Sequence, residues 1–468
     1  ASTLKLVAGG VAIVALFGSL FFLRRIDDAD ARRVVHGRRL ARRLRGQDDL
    51  RDAVVVGVLV VWALIGSMTS DDGYILDISR GNDTAGYIGN YHRWFDVPEA
   101  PFGWFYDLYA LWVQVSDSLL WLRLPSVLMG IMAWWLVSRG LLPRLGRQAR
   151  RSRAATWAAG MVFLAFWLAY TSGLRPEPVV VVCSRLALGF VGRALALPRL
   201  LPVALGLFAA SMAVGANPAG LIAIAPFIAG VRPLWHLLSA RVRAVGAVPV
   251  LAPLLASGTA ILMIAWADQS WAAVVDSTRL RSDIGPDWPW YTEIAQRYAP
   301  LFEGLADGSI ARPFPILLVI PCLLARGVVL LRRNRIPGAA LGPAQRLIGS
   351  TVIALLIFAL TPTKWTHHFG DLVGLGSGMV ALAAIATGSD VLRSLRNRLA
   401  FLSAVFLVAA MSAAGPNLWW YTNNWGVPWA GEQVTVAGYE LSTILLLVAL
   451  LLAAGAGVEH LRGIREER

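Results

Sequence analysis

Long apolar runs separated by short polar loops repeat along the whole chain. A membrane-spanning helix needs about 20 predominantly apolar residues, with a lower limit near 17. About thirteen runs approach or meet that length: 5–23, 53–69, 121–141, 155–173, 178–195, 200–215, 216–231, 245–266, 313–331, 347–361, 371–387, 399–414 and 441–458. The pattern predicts an all-α polytopic membrane protein, a transmembrane bundle of about thirteen helices.

Arginines are concentrated in every second loop between these runs. The loop 24–51 carries ten arginines, and cytoplasmic loops are enriched in Lys and Arg. Later basic clusters fall on the same predicted side, whereas the loops 70–120 and 267–312 are poor in Arg and rich in carboxylates and aromatic side chains. We therefore expect one membrane domain over 1–468, with 24–51 cytoplasmic and 70–120 and 267–312 extracytoplasmic.

The segment 104–115 is apolar but too short to span a bilayer. Counting it as a span would reverse the side of every later basic cluster. We therefore interpret it as a re-entrant or interfacial helix.

Composition supports the membrane assignment and excludes other classes. Hydrophobic residues make up 57% of 468 positions and the mean hydropathy is +0.59, which is too apolar for a soluble domain. The net charge of +14 follows from the cytoplasmic arginines, so it does not indicate nucleic-acid binding. Cys183 and Cys322 both lie inside apolar runs, which gives no basis for a disulfide or a Cys-rich metal site.

Asp71 and Asp72 follow the second apolar run at the predicted outer membrane boundary. A carboxylate that is partly desolvated there takes up a proton more readily, so the pair is placed for general base catalysis. The alternative is an exposed Asp-Asp-Gly turn with no chemical role.

A second polar group follows the run that ends near residue 361. Lys364 is one of only two lysines in the chain, and it precedes Trp365, His367 and His368. These side chains offer cationic and neutral donors suited to a phosphate oxygen. A metal site is disfavoured, because adjacent histidines rarely face one ion.

Arg175 and Glu177 flank Pro176 in a third external loop. Arg175 offers another contact for an anion, while the alternative is an Arg–Glu pair that closes a tight turn. External aromatic residues such as Trp425 could stack on sugar rings or belong to an interfacial aromatic belt.

Several motifs together resemble the mycobacterial Emb arabinosyltransferase family, in order through nearly the whole chain. They are the segments 69–75, 85–95, 98–104, 121–125, 173–177, 285–286, 361–365 and 421–429. Two segments depart from the family pattern, at Thr171-Ser172 and at Asn217-Pro218-Ala219-Gly220. The paralogue and the linkage, alpha-1,5 or alpha-1,3, stay open.

The resemblance implies a GT-C glycosyltransferase that uses decaprenylphosphoryl arabinose to extend cell-wall arabinan by an inverting mechanism. It implies a multi-pass plasma-membrane protein with its active site on the extracytoplasmic face, without a cofactor or obligatory metal. Dimerisation with an identical or paralogous subunit, and flanking carbohydrate-binding modules that this chain lacks, are also implied. The chain is therefore expected to be the membrane domain of a larger enzyme.

The resemblance also implies individual roles. Asp71 corresponds to the catalytic acid, and Glu99, Lys364, Trp365 and His367 match further motif positions that, with Asp71, are implicated in ethambutol binding. The full predicted set comprises catalytic Asp71 and Asp72 and substrate-binding Glu99, Arg175, Glu177, Lys364, Trp365, His367, His368, Asn90 and Trp425.

Two other functions remain open. A different polyprenyl-phosphate-dependent transferase, such as a mannosyltransferase, would share the architecture. A lipid or glycan transporter would also be multispan, but transporters place ionisable residues near mid-membrane and often have repeated halves. Here the carboxylates cluster at one face and no repeat is visible.

Overall fold

The computed structural model describes residues 2–31, 47–66, 71–90, 97–98, 102–171, 173–266, 269–302, 312–386, 394–415 and 432–466. These ranges are almost entirely helical. The helices are α1 Thr3–Ala31, α2 Gln47–Ile65, α3 Asp72–Ala85, α4 Tyr106–Val113, α5 Leu119–Trp135, α6 Arg147–Arg151, α7 Arg153–Tyr170, α8 Glu177–Ala196, α9 Leu201–Ala216, α10 Ala225–Ala229, α11 Val231–Val245, α12 Ala247–Gly258, α13 Ala260–Ala265, α14 Trp271–Ile284, α15 Pro313–Arg333, α16 Leu341–Phe358, α17 Val373–Ala386, α18 Leu395–Ser412 and α19 Leu441–Glu466.

Short segments of other structure join these helices. Residues Leu136–Leu141 and Ile294–Tyr298 form π-helical turns, while Leu142–Leu145, Pro218–Ile224 and Thr366–Leu372 are 3₁₀ helices. Two antiparallel strand pairs also occur, with β1 Gly89–Asn90 against β2 Val97–Pro98 and β3 Thr435–Val436 against β4 Tyr439–Glu440.

A helix lies at each apolar run that the sequence delimited. Among the described residues, eight helices are long and apolar enough to cross a membrane. A ninth is obtained if the segments Pro218–Ala229 and Val231–Val245, which are bent by 68°, form one broken span. The protein is therefore a helical polytopic membrane protein as predicted, while the count of about thirteen spans is not confirmed.

The span Thr366–Ile385 lies at the centre of the bundle. It is 94% buried, against 6% for Leu441–Gly463 at the periphery. Its small residues allow close helix packing: a Cβ added at Gly376 would lie 2.5 Å from the ring of Phe166 in α7. The core is therefore built where α17 meets α7.

Three chain segments that converge at one end of this core carry the predicted polar residues. Asp71 directly precedes α3, Glu177 begins α8, and the 3₁₀ helix Thr366–Leu372 leads into α17. The 3₁₀ helix contacts both α7 and α8. The segment 104–115 forms only the eight-residue α4, which is too short to cross a bilayer.

Candidate active site

Asp71 and Asp72 hold the start of α3 against the turn that precedes α8. Asp71 Oδ2 accepts a hydrogen bond from Arg175 Nη2 at 2.7 Å, and Asp72 Oδ1 accepts one from the Leu174 backbone N–H at 2.8 Å. The Asp71 side chain is 19% exposed, whereas Asp72 is buried. Only Asp71 therefore presents its carboxylate to an incoming molecule.

Gly173 allows the turn that precedes α8 to lie directly against the side chain of Asp72. Its φ is +107°, a conformation that side chains disfavour, and an added Cβ would lie 2.3 Å from Asp72 Oδ1. The turn can therefore press against Asp72 only because residue 173 lacks a side chain.

Arg175 is the central cation of the site and is almost completely buried. Its Nε lies 3.7 Å from Glu177 Oε2, while neither Nε nor Nη1 has a hydrogen-bond partner in the part of the chain that the structure describes. Burial disfavours the charged form, but the carboxylates of Asp71 and Glu177 outweigh this effect and raise the pKa of Arg175. The guanidinium stays charged and keeps donor capacity for an anion.

Glu177 links Arg175 to the histidine pair. Its Oε1 lies 3.7 Å from His367 Nε2, and neither carboxylate oxygen has a hydrogen-bond partner among the described residues. The pairing of Arg175 with Glu177, which the sequence left as an alternative to anion binding, is thus present. This ion pair leaves Nε and Nη1 of Arg175 without a hydrogen-bond partner among the described residues.

Lys364 is enclosed by the protein. Its ammonium donates to the backbone carbonyls of Ala359 at 2.8 Å and Thr361 at 3.0 Å, and it lies 3.6 Å from Glu293 Oε2. Burial lowers the pKa of Lys364, although Glu293 opposes the shift. Two carbonyl oxygens thus accept hydrogen bonds from the buried ammonium and the Glu293 carboxylate lies nearby, whereas the sequence predicted Lys364 as a donor to a phosphate oxygen.

Arg297 organises the loop on which Lys364 lies. Its guanidinium, fully buried, contacts Glu293 Oε1 at 2.6 Å, His368 Nδ1 at 2.7 Å and the Trp365 carbonyl oxygen at 2.9 Å. Burial lowers the pKa of Arg297, and the carboxylate of Glu293 opposes this effect. His368 therefore serves as a buried partner of Arg297 and offers no accessible surface for a sugar.

Trp365 and His367 form the accessible part of this loop. Trp365 is half-buried and packs edge-on against Trp288, with ring centroids 5.2 Å apart. The His367 side chain is 13% exposed. Together with Asp71, these side chains form a partly open surface above a buried layer of charges.

The adjacent histidines do face a common point, contrary to the expectation from sequence. One ligand atom from each of Glu177, His367 and His368 lies within 4.8 Å of the others. Both histidines lie in the 3₁₀ helix that contacts α8, the helix that begins at Glu177. The surroundings are strongly cationic, with Arg175 and Arg297 close by, and cationic surroundings oppose a divalent ion.

Several site residues were not predicted as such. Glu293 and Arg297 come from a distant loop, and Arg312 donates to Thr366 Oγ1 at 3.3 Å. Burial, then the charge of Arg175, lowers the pKa of Arg312 to about 10. Asp371 is buried, and neither of its carboxylate oxygens has a hydrogen-bond partner among the residues described. The sequence gives little indication that a polar side chain is buried. An acid inside an apolar run, such as Asp371, is one such indication.

Part of the predicted set lies outside the described residues. Glu99 and Trp425 belong to undescribed segments, and only the backbone of Asn90, in β1, is described. The structure thus brings together Asp71, Asp72, Arg175, Glu177, Lys364, Trp365, His367 and His368.

Comparison with known proteins gives consistent matches along the chain. A family model described as "Mycobacterial cell wall arabinan synthesis protein" matches residues 1–462. "Probable arabinosyltransferase B" from Mycobacterium avium is 44% identical over 443 residues, covering 95% of this chain and 41% of that protein. "Probable arabinosyltransferase C" from Mycolicibacterium smegmatis is 42% identical over 454 residues, covering 96% of this chain and 42% of that protein.

A solved structure has the same fold. The cryo-EM structure of arabinosyltransferase EmbB from Mycobacterium smegmatis matches with a TM-score of 0.85 and 39% sequence identity, over 98% of this chain and 42% of that chain. The chain spans less than half the length of the curated relatives that it matches.

Proposed function

Because this chain belongs to the family of mycobacterial cell wall arabinan synthesis proteins, we propose that it carries the transferase site of an arabinosyltransferase. The donor is decaprenylphosphoryl arabinose, and the acceptor is a hydroxyl of growing arabinan. The site faces the extracytoplasmic side of the plasma membrane, where a lipid-linked donor can enter from the bilayer.

The observation that carries this proposal is the contrast between the two aspartates. Asp71 is accessible and accepts a hydrogen bond from the buried guanidinium of Arg175, whose Nε and Nη1 have no partner among the described residues. Asp72 is buried and accepts a hydrogen bond from a backbone N–H. A base beside a preorganised cation is what transfer from a lipid phosphate needs.

The proposed reaction has four coupled changes. Asp71 takes the proton of the acceptor hydroxyl, and the acceptor oxygen forms a bond to the anomeric carbon of the arabinofuranose. The bond from that carbon to the phosphate oxygen breaks, and decaprenyl phosphate leaves with the electron pair. Attack opposite to the leaving phosphate inverts the anomeric configuration.

Arg175 stabilises the charge that grows on the leaving phosphate. Its Nη1 has no partner within the described ranges, and its Nη2 can be shared between Asp71 and a phosphate oxygen. Electrostatic preorganisation of this kind usually supplies the largest part of catalysis. His367, at the accessible edge beside Glu177, supplies a neutral donor to the same phosphate.

Asp72 and Lys364 support the site from behind. Asp72 fixes the turn that carries Arg175, and Lys364 fixes the loop that carries Trp365 and His367. We assign Trp365 to packing against the sugar or the prenyl chain. We propose Glu99, Asn90 and Trp425 as substrate contacts because they lie in segments that match the motifs of the family.

The proposal also covers the membrane topology and the oligomeric state of the protein. Residues 1–468 form one GT-C membrane domain, with 24–51 cytoplasmic and 70–120 and 267–312 extracytoplasmic. The family resemblance favours a dimer with an identical or paralogous subunit, and no cofactor enters the reaction.

An assay of transfer from two alternative donors tests the proposed function. The purified protein in nanodiscs is given an arabinan oligosaccharide acceptor with either labelled decaprenylphosphoryl arabinose or labelled decaprenylphosphoryl mannose. Transfer of label from the arabinose donor, abolished by heat denaturation of the protein, is expected. Transfer of mannose alone would identify the alternative enzyme, and donor translocation across a sealed vesicle without transfer would identify a transporter.

A further inference from the structure

Four arginines lie between the middle of α8 and the end of the bundle opposite to the candidate active site. α8 begins in the site at Glu177, so Arg185 lies about 12 Å along its axis and Arg193 about 24 Å along it. Arg144 comes from the 3₁₀ segment Leu142–Leu145, and Arg346 lies near the start of α16. The four side chains thus come from three separate elements.

Their charges lie close enough to repel one another. Arg144 Nη1 donates to the carbonyl oxygen of Gly189, one turn beyond Arg185 in α8, at 2.6 Å. Arg144 also interacts electrostatically with Arg185, Arg193 and Arg346. Within the described part of the chain, none of these arginines forms a salt bridge.

Arg185 is the deepest of the four. It is 3% exposed, and its Nε and Nη1 have no hydrogen-bond partner in the described structure. It packs against α17 so closely that a Cβ added at Gly374 would lie 1.8 Å from Arg185 Cδ. A buried, unpaired cation is costly, and an ionisable side chain at membrane depth commonly marks a functional site.

We propose that Arg144, Arg185, Arg193 and Arg346 bind the phosphate of an anionic phospholipid from the leaflet at that end of the bundle. Guanidinium groups match phosphate oxygens in bidentate geometry. Basic pockets between membrane helices on the cytoplasmic side bind such head groups, and the arginine pattern predicts that this end is cytoplasmic.

The same region offers apolar surface for the acyl chains. The α10 segment packs between the two arginine-bearing helices: a Cβ at Gly230 would lie 3.5 Å from Val191 of α8, and a Cβ at Gly349 of α16 would lie 3.1 Å from Ala229. Next to these contacts, Ile228 and Val231 are 48% and 61% exposed. A lipid is therefore favoured over a free anion.

Titration of the purified protein with dioleoyl phosphatidylglycerol, followed by native mass spectrometry, tests this site. The protein should bind this lipid more tightly than dioleoyl phosphatidylcholine. Arg144→Gln and Arg346→Gln should each weaken binding roughly tenfold, the loss expected for one charge-assisted contact. Arg332→Gln removes an exposed arginine at the same end, at the end of α15, and should leave binding unchanged.

Arg185→Gln gives a second readout, because phosphatidylglycerol should raise the melting temperature of the wild-type protein but not that of this variant. Should Arg185→Gln fail to fold, Arg144→Gln and Arg346→Gln still decide the question. Equal binding by Arg144→Gln, Arg346→Gln and the wild type would overturn the proposal. Displacement of the lipid by inorganic phosphate at equal concentration would overturn the assignment to a phospholipid.

Discussion

Asp71 and Asp72 are neighbours in the chain, but their carboxylates have different partners. Asp71 pairs with Arg175 at the accessible edge, and Asp72 accepts from the backbone of Leu174 in the interior. The sequence predicted an acid pair at a helix start. It could not predict the division of roles, because that depends on a turn about a hundred residues further along the chain.

Lys364→Met tests whether this lysine is a support or a phosphate ligand. The change removes a buried cation that has two carbonyl partners and lies 3.6 Å from Glu293. Breaking a buried pair on one side costs about 3–5 kcal/mol, so the melting temperature in detergent should fall clearly.

Lys5→Met is the matched control, since Lys5 is the other lysine of the chain and is exposed. Its melting temperature should stay close to that of the wild type. A Lys364→Met protein of normal stability that requires much more donor would instead place Lys364 on the phosphate.

At the scale of elements, the apolar runs predicted where the helices lie but not how they break. Hydropathy predicts one helix over 216–231, whereas the chain forms a 3₁₀ helix, the short α10 and then α11 after a bend of 68°. Pro218, Pro226 and Gly230 accompany these breaks. Hydropathy alone does not predict a bend, because the residues on both sides of the bend are apolar.

Gly173→Ala tests the turn that positions Arg175. The added Cβ would clash with Asp72, and the backbone at residue 173 has a φ of +107°. We therefore expect a loss of about 1–3 kcal/mol in stability together with loss of transfer activity.

Gly73→Ala is the matched control. Gly73 lies within α3 with nothing within 4 Å of an added Cβ, so a helix-favouring alanine should be neutral or mildly stabilising. Equal thermal stability and activity of the two variants would contradict the proposed role of the turn.

At the scale of the whole molecule, alternating basic and acidic loops predicted that the polar chemistry gathers at one end of the bundle. The structure places the starts of α3 and α8 and the 3₁₀ helix Thr366–Leu372 together there. Glu293 and Arg297 were missed as site residues, because their contacts with Lys364 and His368 span about seventy residues of sequence and no local pattern encodes such contacts.

Cysteine labelling tests the proposed orientation. In a background with Cys183 and Cys322 replaced by alanine, Asp83→Cys should react with an impermeant reagent in intact cells, and Arg147→Cys should react only after permeabilisation. Both positions are exposed on the protein, so accessibility reports the side of the membrane. The reverse labelling pattern would place the candidate site in the cytoplasm.

The most direct test of the account is the transfer rate of Asp71→Asn with the arabinose donor. Asparagine keeps the shape of the side chain but cannot take the proton, so the rate should fall by about 10²–10⁴-fold. Donor affinity, measured on the purified protein in nanodiscs, should survive. Asp72→Asn should cost less, because its amide oxygen can still accept from Leu174. Near-normal turnover of a well-folded Asp71→Asn protein, or loss of donor binding without loss of folding, would contradict the assignment of Asp71 as the base.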